Sequence, residues 1–171
     1  MVEKTTADEL VRLLKENELK AATAESLTGG LISKKITEIP GASMVFECGI
    51  CSYSNRIKSQ ILGVSVQTLA QETEYSEKCA EEMAQGVRKL SGADIGISTT
   101  GIAGPGGGTD EKPVGTVYVG VSTAHDTVCC RLQLDSSLSR EEIREASAES
   151  ALSLACQMLC KLTETKQETD K

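Results

Sequence analysis

The chain has 171 residues, 39% of them apolar and 25% charged, the length and make-up of one folded domain with one sizeable core. Its 18 Lys and Arg against 25 Asp and Glu leave a net charge of −7, which excludes a broad phosphate-tracking surface and with it nucleic acid as a partner. Three Tyr, one Phe and no Trp are too few aromatics to build a platform for stacking unpaired bases.

In chain order, Thr6-Ala7-Asp8-Glu9 reads as a capping box, and Leu10, Val11, Leu13 and Leu14 behind it predict an amphipathic helix to about Asn17. Lys20 to Glu25 is a short strand that runs through Ser26-Leu27-Thr28-Gly29-Gly30 into a helical pattern from Leu31 to Ile36. After the break at Pro40-Gly41, Met44 to Tyr53 reads as a buried strand, followed by a helix from Asn55 to Leu62 that Gly63 ends. Ser76 caps a helix from Glu77 to Leu90, with Ser91-Gly92 as its stop, and Ile95 to Thr100 is the next strand. Gly101 to Lys112 is too glycine-rich for an element interior and reads as an exposed loop. Val117–Val121 and Thr127–Leu134 flank a turn at Ala124-His125-Asp126 and predict an antiparallel hairpin. A second capping box, Ser139 to Glu142, opens the longest helix, with Ile143, Ala151, Leu154, Ala155, Met158 and Leu159 inward. Residues 1–162 form one domain and 163–171 a polar tail. The alternation predicts an α/β fold, a three-layer α/β/α domain built on a mixed sheet.

The amino terminus has no apolar leader core, and no stretch approaches the roughly 18 consecutive apolar residues of a membrane span, so the expected location is the cytoplasm, away from the membrane. There the seven cysteines should be reduced thiols acting as small buried hydrophobes. Cys48 and Cys51 lie three apart in a strand and face opposite sides, and no second Cys/His pair completes a zinc site, so no metal is expected.

The single histidine, His125, falls in a hairpin turn, which argues against a Ser-His-Asp triad. A serine nucleophile would then take its base from Lys, Tyr or a carboxylate, and a desolvated lysine loses its proton near neutral pH. Ser26 stands at a strand-to-helix turn beside Thr28, Gly29 and Gly30, where backbone N–H groups suit an oxyanion or a phosphate; a plain helix cap accounts for the same residues. Lys58 lies one turn into the helix that begins at Asn55, placed either toward the sheet edge or in solvent. The loop from Gly101 lacks the P-loop and dinucleotide patterns but follows a strand end, where ligand loops sit in open α/β sheets; a structural turn fits it equally.

Three segments taken together, TAESLTGG at Thr23–Gly30, YSNRIK at Tyr53–Lys58 and TGIAGPGGGTDEKPVGT at Thr100–Thr116, resemble the CinA C-terminal domain family in order and spacing, over about Leu10 to Leu162. The resemblance implies a nicotinamide mononucleotide deamidase of pyridine nucleotide salvage, which hydrolyses the ring carboxamide to nicotinate mononucleotide and ammonia without metal or cofactor. It implies Ser26 as nucleophile, Lys58 as its base and Tyr53 beside the dyad. Thr28, Gly29, Gly30, Asn55, Thr100, Gly101, Ala103, Gly104, Pro105 and Arg140 would bind the substrate, Arg140 as the phosphate cation. A homo-oligomer, a dimer, is implied as well. Two departures stand out: Leu27 where the family often has Cys, and Ser136-Ser137-Leu138-Ser139-Arg140 where it has a Gly-Asp-Arg segment. The competing readings are a non-catalytic nucleotide-binding module linked to competence or DNA damage, and Ser/Lys hydrolysis of another amide.

Overall fold

The computed structural model describes residues 4–169. Among the described residues, six α-helices, one short 3-10 helix and five strands follow one another along the chain. Helix α1 (Thr6–Glu16) is capped by Thr5, one residue earlier than the sequence suggests, with Asp8 returning the bond to the Thr5 N–H. Strand β1 (Ala21–Glu25) leads into α2 (Leu31–Thr37), and β2 (Phe46–Cys51) into α3 (Asn55–Leu62), which ends at Gly63 in the left-handed conformation. Next come α4 (Val66–Gln71), α5 (Glu77–Ser91), β3 (Ile95–Gly101), the hairpin β4 (Thr116–Ser122) and β5 (Thr127–Gln133), and α6 (Arg140–Thr169).

The sheet order is β2-β1-β3-β4-β5, with β1 parallel to both neighbours and the last two strands antiparallel. Helices α1, α2 and α6 pack together on one face, and α5, with α3 and α4 against it, covers the other. This is the three-layer α/β/α domain with a mixed sheet. The larger apolar cluster joins Leu10, Leu14, Ile32 and Ile36 to Ile97, Val119, Ile143 and Leu152; the smaller gathers Leu62, Val64, Met83 and Val87 under the opposite helices. Gly86 makes the second layer close. A Cβ there would stand 1.9 Å from the Leu62 carbonyl oxygen, so only glycine lets α5 approach the end of the helix that carries Lys58.

Several expectations need correction. Strand β2 starts at Phe46 and is an edge strand whose residues alternate between half-buried and exposed, not a buried one, because β1 is its only partner. Helix α4 was not expected; Ser65 caps it by accepting from the Thr68 N–H. In α6, Leu152 is fully buried and Leu154 only half-buried. The helix continues to Thr169, so the tail expected from Thr163 begins as helix, and residues 170 and 171 lie outside the described residues. The cysteines are not uniformly buried: Cys79 is, whereas Cys51, Cys130 and Cys160 are exposed. Among the described residues no helix is long and apolar enough to cross a membrane, and no cluster of His, Cys, Asp or Glu is placed to hold a metal ion.

Candidate active site

Because β1, β2 and β3 are parallel, their carboxyl ends open at one edge of the sheet, where ligands sit in open α/β folds. Three segments meet there: the Ser26 turn after β1, Ser52 to Lys58 after β2, and the glycine-rich loop after β3.

Glu25, the last residue of β1, builds the first segment. Its side chain is fully buried, and its carboxylate accepts from the backbone N–H groups of Gly30 (2.9 Å), Ile32 (3.0 Å) and Ser33 (2.9 Å) and from the Ser33 hydroxyl (2.7 Å). The N-cap of α2 is Gly30, which has no side chain to offer. Glu25 therefore does the capping from the strand, and an acidic group is favoured at a helix N-terminus. Gly29 and Gly30, with φ of 60° and 98°, allow the chain to double back over this carboxylate. Arg144 of α6 secures the turn from outside, donating to the Leu27 (3.0 Å) and Thr28 (2.7 Å) carbonyls.

Ser26, held off the sheet by this turn, is only 6% exposed, and Lys58 only 1%. The Lys58 Nζ donates to Ser26 Oγ at 3.0 Å and to the Ser52 carbonyl at 3.0 Å. Both acceptors are neutral. Burial pushes the Lys58 amine below the usual lysine range, against the smaller opposing pull of Cys79 and Glu74. Cys79, on α5, is itself pushed up to about 12 by burial. A serine hydroxyl hydrogen-bonded to an amine that readily gives up its charge is the arrangement of an activated nucleophile and its base.

The two groups open into a cavity of about 120 Å³ lined by Ser26, Leu27, Tyr53, Lys58, Glu74, Tyr75, Arg140 and Gly101 to Gly107 without Pro105. Arg140, at the start of α6, donates to the Tyr53 hydroxyl (2.9 Å) and to the Gly104 carbonyl (2.7 Å), tying the second segment to the third. The loop from Gly101 is exposed only from Pro105 onward; Gly101 to Gly104 are buried and form the cavity wall.

The structure thus brings Ser26, Lys58, Tyr53, Gly101, Ala103, Gly104 and Arg140 together around one cavity. The other expected substrate-binding residues lie elsewhere. The Thr28 hydroxyl pairs with that of Thr99 at 2.7 Å, and the Gly30 N–H belongs to Glu25. Thr28, Gly29 and Gly30 do not line the cavity. Thr100 turns away and donates to the Glu74 carbonyl at 2.6 Å. Asn55 and Pro105 are exposed outside the wall. His125 is exposed in the turn that joins β4 to β5, at the opposite end of the sheet.

Sequence reasoning missed Glu25, Glu74, Tyr75 and Arg144. Glu25 had a usable signal: an acidic residue ending a strand of small residues, before a Gly-Gly turn and a helix that lacks a capping side chain. Glu74 and Tyr75 reach the cavity from a turn far away in sequence, held by Lys112, whose Nζ donates to the Glu72 carbonyl (3.0 Å), Thr73 Oγ1 (3.0 Å) and the Tyr75 carbonyl (2.7 Å). No local pattern announces such a contact.

The profile of the CinA C-terminal domain matches residues 3–159. A "Putative competence-damage inducible protein" of Thermoanaerobacter sp. (strain X514) is 50% identical over 145 residues, covering 85% of this chain and 35% of that protein. A "CinA-like protein" of Thermotoga maritima is 47% identical over 143 residues, 84% of this chain and 34% of the relative. The chain therefore spans about a third of the length of the curated relatives it matches. Among solved structures, the competence/damage inducible protein CihA of Agrobacterium tumefaciens superposes with a TM-score of 0.83 at 36% identity, over 95% of this chain and 99% of that one. A CinA superfamily protein of Klebsiella pneumoniae gives 0.86 at 28% identity, over 92% and 99%.

Proposed function

The chain belongs to the CinA C-terminal domain family, and on that premise we propose that it is a hydrolase that deamidates nicotinamide mononucleotide to nicotinate mononucleotide and ammonia. The observation that carries the reading is the buried bond from Lys58 Nζ to Ser26 Oγ at 3.0 Å, since an uncompensated buried amine beside a hydroxyl costs stability and has a chemical use. Neutral Lys58 takes the Ser26 proton as Oγ attacks the carboxamide carbon. The C–N bond then breaks, Lys58 returns its proton to the departing nitrogen, and ammonia leaves an acyl ester on Ser26. A water, deprotonated by Lys58, attacks that ester and releases the carboxylate and the free hydroxyl. The Gly30 N–H donates to Glu25 and Thr28 and Gly29 lie outside the cavity lining, so oxyanion stabilisation falls to groups of the lining itself. Arg140 faces the phosphate, and Tyr53 is held by it. The same reading makes the protein a cytoplasmic homodimer of pyridine nucleotide salvage that uses no cofactor.

The test is ammonia release from nicotinamide mononucleotide by wild type and by folded Ser26→Ala and Lys58→Ala variants. Wild type should release ammonia, and each variant should lose at least about a hundredfold, the scale set by removing a nucleophile or its base. The names of the relatives speak of competence and damage, and the second reading is a non-catalytic nucleotide-binding module linked to them. Wild type that binds the nucleotide but releases no ammonia would establish it and end the dyad assignment.

A further inference from the structure

Besides Arg140, the cavity lining carries a carboxylate and an aromatic ring. Glu74 and Tyr75 both line it beside Ser26 and Lys58, and both continue into an adjoining cavity of about 710 Å³ bounded by the 71–77 segment, the glycine-rich loop, Tyr118 and Arg131. The Glu74 side chain lies close enough to act electrostatically on both Lys58 and the Tyr75 hydroxyl, and among the described residues no Lys or Arg forms a salt bridge with it. The chain has only three Tyr and one Phe, yet two of those tyrosines, Tyr53 and Tyr75, line a cavity of about 120 Å³. The turn that carries Glu74 and Tyr75 is not a loose one. Lys112 fixes it with three bonds and Thr100 with a fourth.

A carboxylate beside aromatic faces is the environment that holds a quaternary nitrogen cation. We propose that Glu74 and the Tyr75 ring form the specificity wall of this site and select an N-substituted pyridinium carboxamide, through its ring charge, over an uncharged carboxamide of the same shape. This inference rests on the deamidase reading and sharpens it. Glu74 and Arg140 both line the cavity without forming a salt bridge to each other, so the site carries both signs of charge, as does a substrate with a cationic ring and an anionic phosphate. The bound ring also assists the dyad: a positive charge between Glu74 and Lys58 offsets the carboxylate and favours the neutral amine that accepts the Ser26 proton.

The experiment compares the affinity of Ser26→Ala protein for nicotinamide mononucleotide and for its 1,4-dihydro form, which keeps the carboxamide, ribose and phosphate but has an uncharged ring. The cationic form should bind at least about tenfold more tightly, Glu74→Gln in the same background should bring the ratio close to one, and Glu74→Asp should retain it. In enzyme with Ser26 intact, Glu74→Gln should also move the acid limb of the kcat/KM profile to lower pH, because the carboxylate favours charged Lys58. The other groups around that amine, Ser26, the Ser52 carbonyl, Cys79, Tyr53, Tyr75 and Arg140, are unchanged in the variant. A purely structural role for Glu74 would not move that limb. A ratio that Glu74→Gln leaves intact overturns the inference while deamidation stands; absence of both nucleotide binding and ammonia release in wild type removes the deamidase reading and the inference with it.

Discussion

Glu25 and Lys58 are both buried at the carboxyl edge of the sheet, and they are treated in opposite ways. The Glu25 carboxylate accepts four close hydrogen bonds at the start of a helix; the Lys58 ammonium would have two neutral acceptors and no carboxylate in contact. One burial is compensated by donors and a helix dipole, the other is not. The first therefore stabilises a turn, and the second drives its amine toward the neutral form. An ionisable group inside a protein becomes architecture or chemistry according to whether its charge is met.

The comparison breaks most readily at Glu25. Glu25→Ala leaves three N–H groups and a hydroxyl without their acceptor and should cost about 3–5 kcal/mol of unfolding free energy, measurable as a lower urea midpoint. A loss under about 1 kcal/mol would mean that water replaces the carboxylate and that the turn does not depend on it. Lys58→Met should act in the opposite direction and less strongly. It abolishes ammonia release but raises stability at pH 7 by on the order of 1–2 kcal/mol, about 2–4 °C in Tm for each kcal/mol in a domain of this size. The sign follows from linkage. The native amine titrates below its unfolded value, so wild-type stability rises with pH between the two, and the advantage of the methionine should fade as pH approaches about 10.4, the unfolded lysine value. The smallest effect is expected at Lys112, a partly exposed ammonium with three neutral acceptors. Lys112→Met should cost about 1 kcal/mol and lower kcat/KM several-fold while leaving the Lys58 pH dependence in place. A shifted pH profile would instead mean that the loop sets the amine's environment directly.

What could be read in the sequence follows the same division. Ser54, Ser65 and Ser76 each cap a helix through a hydrogen bond from an N–H three residues on; the signal is local, yet it located only the start of α5 and was overlooked for α3 and for α4, a short helix between two turns. The antiparallel β4–β5 pair followed from the tight turn between them, whereas the antiparallel β3–β4 pair, joined by the long glycine-rich loop, had no such signal. The Ser26 turn and Lys58 stood out because each lies at a strand-to-helix junction, but their 3.0 Å contact spans 32 positions and came only from resemblance. Arg144 reaches the Leu27 and Thr28 carbonyls across 117 and 116 positions, and Glu74 and Tyr75 lie in a turn with no pattern of its own. The exposure of β2 escaped because its apolar residues suggest a central strand, and strand order is a tertiary property.

Arg140 and Arg144 sit one turn apart on α6, and between them they grip the Tyr53 hydroxyl, the Gly104 carbonyl and the carbonyls of Leu27 and Thr28. Every one of those partners is synthesised earlier than the helix that holds it. On the ribosome, then, the serine, the lysine and the glycine-rich loop can be complete and in the right order while the candidate site is still unassembled, and its walls are joined only when α6 emerges and docks.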